Sequence, residues 1–475
     1  MTSSTARIAF LLEGMTRVGN GIVVSAIRRA GLFSDKLGIA PWIITSNFDP
    51  NLLEYVAELK STGALPPDTQ VCNVYHWLAE MAGEGAVKPL ARAFAQDIGN
   101  LTLVTSEDAA GLRKHSYVDA ADKPQTWREE FVFNDRIFLR KLFKEGKTGL
   151  QLNAIHMRGA NGALREFRSE SEWACHVVGM NLQADIPWHF VVDKNRRFAH
   201  LAGTPAIQTL CKTITAMLHN THVLPSGKYR SDYRHLIENP GCVDRLITLT
   251  QEQYRELLSQ GYPEERLRVI PHALRPPPAG SEPPQRAAKR AIFLSRYAPV
   301  KQHEMLIRIF QRVLLQVPDA ELHTYGTGPL KEKLAKQVRK LGLQERIKIN
   351  GFVEDIETVY ATATLGVLPS ATEGFSLFVL ECLAHGCPTV SFAVKYGPRD
   401  LLENQGAGIL IEPNNEEAMA QTLIDLFRHP EKIEAMRPHA IRSASRFTPE
   451  IVIDLWKAWW IDMQAIVAQR RKAPS

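Results

Sequence analysis

A chain of 475 residues is too long for one hydrophobic core and implies two or three domains. Its 45% hydrophobic and 23% charged residues are ordinary for a globular protein, and a net charge of +6 suits an anionic ligand or phosphate-rich acceptor while falling short of a nucleic-acid binder. The six cysteines (Cys72, Cys175, Cys211, Cys242, Cys382, Cys387) have no C-x-x-C or metal-ligand spacing and read as reduced core residues. The N-terminal apolar run is too short for a signal peptide, and no stretch approaches transmembrane length, so a cytoplasmic location is expected.

RIAFLLEG (Arg7 to Gly14) is a continuous apolar run, as expected of a strand buried on both faces of a parallel sheet. It feeds TRVGNG and then a helical IVVSAIRRAGLF, and strand, glycine loop and helix in that order make a turn in which Gly19 and Gly21 permit close backbone approach to a phosphate or sugar. The spacing is not the dinucleotide fingerprint. Residues 101–182 break the pattern and read as short strands with turn signals at Asp-Lys-Pro, Asn-Asp, Gly-Lys and Gly-Ala-Asn-Gly, a β-rich insertion. IPWHFVVDK returns to the buried-strand type, and KTITAML ends in His219 and His222 at a carboxyl strand end, where open α/β sheets place ligands. VDRLITLT and LRVI complete the first domain, predicted over 1–100 and 183–270, and the proline-rich 271–286 is a semi-rigid linker.

Residues 287–448 then alternate strand and helix regularly: AIFLSRY, AELHTYG, IKINGF, LGVLPS, PTVSFAV and GILI, a second doubly wound parallel sheet. SRYAPVKQ places Arg296 and Lys301 at a strand-to-helix junction, where two cations answer a diphosphate; Gly326 lies in a second glycine turn, GTGP. After LGVLPS, the stretch TEGFSLFVLECLAHGCP puts Glu373 on a loop and Glu381 inside a helix from about Leu377 to His385. Gly374 allows close backbone contact, Ser376 is placed to cap, and the free amides after it make an anion seat. Two carboxylates flanking an anion seat suit a ligand with hydroxyls at both ends and phosphates between, as in a nucleotide-sugar. Were all eight residues helical, the two Cα atoms would stand about 12 Å apart, whereas a retaining glycoside hydrolase needs its carboxyls at about 5–5.5 Å. Residues 449–475 form an amphipathic helix carrying Trp456, Trp459 and Trp460, expected to pack back across both domains rather than onto a membrane surface.

E-G-F-S, a second Glu after seven residues, and A-x-G-x-P-x-V resemble the signature of the retaining family 4 glycosyltransferases, and Tyr396-Gly397-Pro398 is similar to that of the bacterial poly(glycerol-phosphate) α-glycosyltransferases of wall teichoic acid. The resemblance covers residues 286–430 and, more weakly, much of the N-terminal half. It implies a GT-B fold, two facing Rossmann-like domains with the β-rich insertion in the first, and transfer of glucose or N-acetylglucosamine from a UDP-sugar to a polyol-phosphate or glycan polymer. It implies that His219 reaches the donor sugar, with His222 the alternative, and that the Gly19/Gly21 loop lies against donor phosphate and acceptor. By the same resemblance the backbone around Val353 receives the base and Glu381 the ribose, while Glu373 with the amides of Gly374 and Phe375 holds the sugar hydroxyls. Amides at Ser376 and Leu377 take the distal phosphate. Ser295 replaces the family's glycine before Arg296. With no D-x-D pair, no metal and no further cofactor is expected. A homo-oligomer through the insertion is implied, and no nucleic acid. A glycogen-synthase-like or lipid-glycan transferase, and a non-catalytic partner of an active transferase, are the competing readings.

Overall fold

The computed structural model describes residues 6–17, 21–83, 101–121, 124–147, 149–158, 163–183, 185–224, 226–276 and 285–472. Gly19, the Gly-Ala-Asn-Gly turn and residues 277–284 of the expected linker lie outside these. The chain divides into two compact units, one of Met1–Met217, Ser231–Arg245 and Met463–Ser475, the other of Leu218–Arg230 and Leu246–Asp462.

In the first unit β1 (Arg7–Leu12), β2 (Trp42–Thr45) and β3 (Gln70–Asn73) run parallel, with the helix Gly21–Leu37 between β1 and β2. The insertion follows as β4 (Thr102–Glu107), β5 (Arg113–Val118), β6 (Thr126–Phe133), β7 (Arg136–Gly146), β8 (Gly149–Arg158) and β9 (Leu164–Phe167). These six strands form an antiparallel sheet in sequence order. The chain then rejoins the parallel sheet through β10 (Trp188–Val192) and β11 (Cys211–Leu218), giving the order β3-β2-β1-β10-β11. β1 is buried from Ile8 to Leu12 because strands lie on both sides of it, which is why its sequence is apolar without alternation.

The insertion differs from the expectation in two ways. Its strands are long, with 11 residues in β7 and 10 in β8, and β6 and β7 are joined by a tight two-residue turn in which Asn134 (φ 48°) and Asp135 (φ 57°) are both left-handed, matching the strand twist. And residues Glu170–Asn181, read as strand, are a helix: Ser169 accepts a hydrogen bond from the Glu172 amide at 3.1 Å, a cap that starts it. The Lys141 ammonium is buried among the rings of Tyr75, Phe131 and Trp173 and bonds the Tyr75 hydroxyl and Glu170 at 2.6 Å each. Tyr75 stands on the helix after β3 and Phe131 on β6, so this cluster joins the two sheets of the unit.

The second unit holds the parallel pair β12 (Arg245–Thr248) and β13 (Leu267–Val269), up to the unit boundary at Arg245, and a six-stranded parallel sheet. That sheet consists of β14 (Arg290–Leu294), β15 (Glu321–Tyr325), β16 (Ile347–Ile349), β17 (Leu365–Leu368), β18 (Thr389–Phe392) and β19 (Gly408–Ile411). Its order is β16-β15-β14-β17-β18-β19, with a helix after every strand, so the winding reverses between β14 and β17. The architecture, two Rossmann-like parallel sheets with an antiparallel sheet inserted in the first, is GT-B.

The terminal helix Pro449–Lys472 counts with the second unit up to Asp462, which pairs with Arg268 at 3.0 Å, and with the first from Met463 on, where Arg470 pairs with Asp244. Trp456 and Trp459 are buried, so the membrane alternative loses two of its three tryptophans. Among the described residues no helix is long and apolar enough to cross a membrane, and all six cysteines are free thiols.

Replacing Ser169 by Ala is expected to cost about 1 kcal/mol of stability, with Ser169→Asp restoring it. Urea unfolding of the full chain followed by circular dichroism measures both.

Candidate active site

At the reversal point the loops leaving β14 and β17 diverge and leave a crevice at the carboxyl edge of the sheet. The first, Ser295 to Gln302, is pinned by Tyr297, whose buried hydroxyl donates to the Asn350 carbonyl at 2.8 Å. It ends in a short turn, Pro299–Lys301, and Gln302 in the left-handed region (φ 51°) launches the next helix. His303 behind it is 1% exposed between the rings of Phe293 and Tyr297; burial pulls its pKa down to about 3, so it is neutral. This scaffold carries Lys301 to the second loop, where its ammonium meets the buried Glu373 carboxylate at 2.6 Å. Arg296 is exposed and has no ion pair among the described residues.

Three glycines let backbone lie on backbone around this pair. A Cβ on Gly374 would fall 2.1 Å from the His219 carbonyl oxygen, one on Gly326 (φ 149°) 2.0 Å from that of Ser295, and one on Gly397 (φ 103°) 2.0 Å from that of Phe375. The segments 219–220, 373–375 and 396–397 are thus stacked at contact distance, as are 295–297 and 326–328, and no side chain fits within either stack. Glu373 also pairs through its backbone with the 395–396 segment: its amide donates to the Lys395 carbonyl at 2.9 Å, and the Tyr396 amide to the Glu373 carbonyl at 2.8 Å.

The helix Leu377–Ala384 opens directly after this stack and ends as expected, with Gly386 in the left-handed region (φ 62°). Its start corrects the expectation. Ser376 is itself left-handed (φ 68°), and its side chain accepts no capping bond; its buried hydroxyl has no hydrogen-bond partner. The first-turn amides therefore lack a side-chain cap, which leaves the anion seat open. Phe375 is buried against Phe447 and His272, and Leu377 is half-buried at the first helical position. Inside the helix, Glu381 accepts a hydrogen bond from the Tyr360 hydroxyl at 2.8 Å. The two glutamates thus have separate partners. Val353 lies in the loop after β16, whose Gly351 carbonyl accepts from the Gly326 amide at 3.0 Å, so base-side and glycine-turn segments are joined.

The two histidines differ sharply. The His219 ring is half-buried and stacks on His272 at 5.5 Å. His222 is fully buried: Nε2 lies 3.1 Å from Gln260, Nδ1 lies 3.2 Å from the Tyr396 hydroxyl, and its ring stacks on Tyr396. Burial lowers its pKa, so it is a neutral packing residue. Gly21, which begins the helix after β1, belongs to the first unit and is exposed. Sequence reasoning assigned no role to Tyr360, His272, Gly397 or Tyr396. Only the last two left a signal, in the quoted Tyr-Gly-Pro.

Residues 288–429 match the family model described as Glycosyl transferases group 1. Over 98% of its length the chain is 24% identical to a poly(glycerol-phosphate) alpha-glucosyltransferase of Bacillus subtilis, of which it covers 76%. This chain is related to the glycosyltransferases of the GT-B, family 4 type. The transferase is also 21% identical, over 86% of its chain and 89% of the relative, to a poly(ribitol-phosphate) alpha-N-acetylglucosaminyltransferase of Staphylococcus aureus. The crystal structure of S. aureus TarM with fondaparinux, alpha-GlcNAc-glycerol and UDP superposes with a TM-score of 0.72 at 19% identity, over 95% of this chain and 99% of that one. At that identity the likeness speaks for the fold. Among the described residues of the transferase, no group of three or more His, Cys, Asp or Glu side chains is arranged to hold a metal ion.

Behind Tyr396 lies a second charged cluster. Its hydroxyl donates to Glu256 at 2.9 Å, which also pairs with Lys395 at 2.7 Å. One turn earlier Glu252 has one carboxylate oxygen without a hydrogen-bond partner, and burial, with Asp400 and Glu256 nearby, pushes its carboxyl up to about 7 against the pull of Arg399. Between its ordinary value of 4.5 and about 7, the unfolded chain has released this proton while the folded chain retains it. Stability therefore falls as pH rises through that window and stays lower above it. In Glu252→Gln the fall between about pH 4 and about pH 8, measured by urea unfolding, should shrink by on the order of 2 kcal/mol. Gly374→Ala forces the 374 and 219 backbones apart and should cost about 1–3 kcal/mol of stability. Thermal unfolding reads this, and UDP titration of the folded variant should show weakened binding.

Proposed function

We propose that the transferase moves a hexose, glucose or N-acetylglucosamine, from a UDP-sugar to a hydroxyl of a polyol-phosphate or glycan polymer, with retention of anomeric configuration. The observation that carries this reading is the convergence, at one topological switch point, of Arg296, the Lys301–Glu373 pair and the uncapped start of the Leu377–Ala384 helix. The activities of the B. subtilis and S. aureus relatives support the sugar and acceptor classes.

In this reading the diphosphate lies over the helix start, with amides of Ser376 and Leu377 on its distal phosphate and Arg296 and Lys301 at its oxygens. Backbone near Val353 takes the uracil and Glu381 the ribose hydroxyls. Glu373 is held by Lys301 where it can accept from the sugar hydroxyls beside the amides of Gly374 and Phe375. His219 is the histidine toward the sugar, a choice supported by the complete burial of His222. The bond from the anomeric carbon to the phosphate oxygen breaks, the acceptor oxygen bonds the same face, and the acceptor's proton passes to the departing phosphate, giving UDP. Charge builds on that phosphate as the bond breaks, so preorganised cations and amides stabilise the transition state more than the bound donor.

The six free cysteines support a cytoplasmic location. A homo-oligomer through the insertion is supported by the outer strand β4, where Leu103 and Val104 are about half exposed.

Calorimetric titration with UDP, GDP, ADP and CMP should show preference for UDP. Arg296→Ala should weaken it roughly tenfold or more, since a charged hydrogen bond contributes about 1.5–3 kcal/mol. Glu373→Gln should lower kcat on UDP-glucose or UDP-N-acetylglucosamine far more than it weakens UDP. No nucleotide binding by the folded chain would sink the proposal; UDP binding indifferent to Arg296→Ala would displace the site.

A further inference from the structure

The chain's excess charge is concentrated in one place. Residues 331–348 hold seven cations (Lys331, Lys333, Lys336, Arg339, Lys340, Arg346, Lys348) against two anions, Glu332 and Glu345, a local net charge of +5 in a chain of net +6. The helix Lys331–Lys340 explains why these charges stand outward. Leu334 and Val338 face the core, while Lys333, Lys336 and Lys340, spaced by three and four, share the opposite exposed face, with the exposed Arg339 beside them.

Several other surface cations of this unit are matched: Arg308 and Arg312 with Glu416 and Glu417, Lys289 with Asp319, Lys432 with Asp425. On the stripe, Lys333 reaches Glu304 and Lys348 reaches Glu345, but Lys336, Arg339 and Lys340 have no ion pair among the described residues. The stripe is continuous with the candidate site. Lys331 begins the helix at the carboxyl edge of the sheet, its amine 3.4 Å from where a Cβ on Gly351 would stand, two residues before Val353. From there the ten-residue helix runs about 15 Å toward the opposite edge. The stripe itself exposes no large hydrophobic side chain between residues 331 and 348; the exposed Phe352 stands at the carboxyl edge beside Gly351 and not on the helix face.

We propose that this stripe is a docking track for a linear polyanion with repeating phosphodiesters, leading it to the carboxyl edge where transfer occurs. The absence of an apolar anchor favours such a polymer over a membrane surface, which peripheral helices enter with apolar side chains. The proposal rests on the polyol-phosphate acceptor named above and adds where the polymer is gripped outside the reacting centre. Binding of this kind is salt-sensitive because each neutralised phosphate releases a counterion.

The test uses the full chain with a fluorescently labelled poly(glycerol phosphate) oligomer as probe, followed by anisotropy across a salt series, and UDP calorimetry in parallel. The triple variant Lys336→Gln, Arg339→Gln, Lys340→Gln changes exposed side chains and should fold and bind UDP as wild type does. It is expected to bind the oligomer about tenfold more weakly at low salt, with a salt slope reduced by about two. Equal oligomer binding by wild type and variant overturns the track. So does wild-type UDP binding without oligomer binding, which leaves the donor reading standing. Loss of binding to vesicles of anionic phospholipid, with oligomer binding unchanged, overturns it in favour of a membrane contact. Failure of UDP binding alone is the failure of the donor reading, and the oligomer arm still decides the track.

Discussion

The second unit depends on what happens where its sheet changes winding direction. Between β14 and β17 no crossover helix covers the carboxyl edge, and the two loops that leave it would part were they not tied. They are tied twice, by the Ala371 amide donating to the Val300 carbonyl at 2.9 Å and by the Lys301–Glu373 ion pair. Removing either partner of the ion pair leaves a charge in a mostly dry setting, a larger penalty than the pair's net worth. The pair therefore fixes geometry more than it adds stability. It holds a carboxylate and an ammonium on opposite lips of the crevice in a defined relation.

The surrounding electrostatics keep that relation simple. The nearby imidazoles His303 and His222 are held neutral by burial, and the Tyr396 phenol is pushed well above its ordinary range. His303, His222 and Tyr396 thus contribute no charge near neutral pH, and the positive field over the helix start comes from Arg296, Lys301 and the backbone amides. The packing carboxyls that burial moves toward neutrality, Glu252 and Asp400, lie together a layer behind Tyr396.

The sequence made the second unit's strands legible because the central ones, β14, β17 and β18, are buried runs, and all are bounded by loops rich in glycine and polar residues. Glu373, Glu381, Lys301 and Arg296 were legible because they sit at fixed offsets from those strand ends. The helix Glu170–Asn181 was misread because its apolar pattern is weak; its cap at Ser169 was the available signal. Ser376 misled for a physical reason: Ser before a helix signals a cap only with an extended backbone, and the contacts of Gly374 and Gly397 turn the chain left-handed there. The roles of Tyr360, His272 and the burial of His222 rest on contacts between residues far apart in sequence, which no local pattern encodes.

The close backbone stacking at Gly326, Gly374 and Gly397 has a consequence for how such a site can change. Loops that touch through peptide groups alone are insulated from the identity of the side chains they carry elsewhere. A substitution at the exposed Phe352 alters the wall presented to a ligand without moving the frame, whereas any substitution at the three glycines moves the frame without improving a wall. The fold thus separates positions where specificity can drift from positions that admit no variation. A library confined to the first class should retain far more folded members than one that samples the loops evenly.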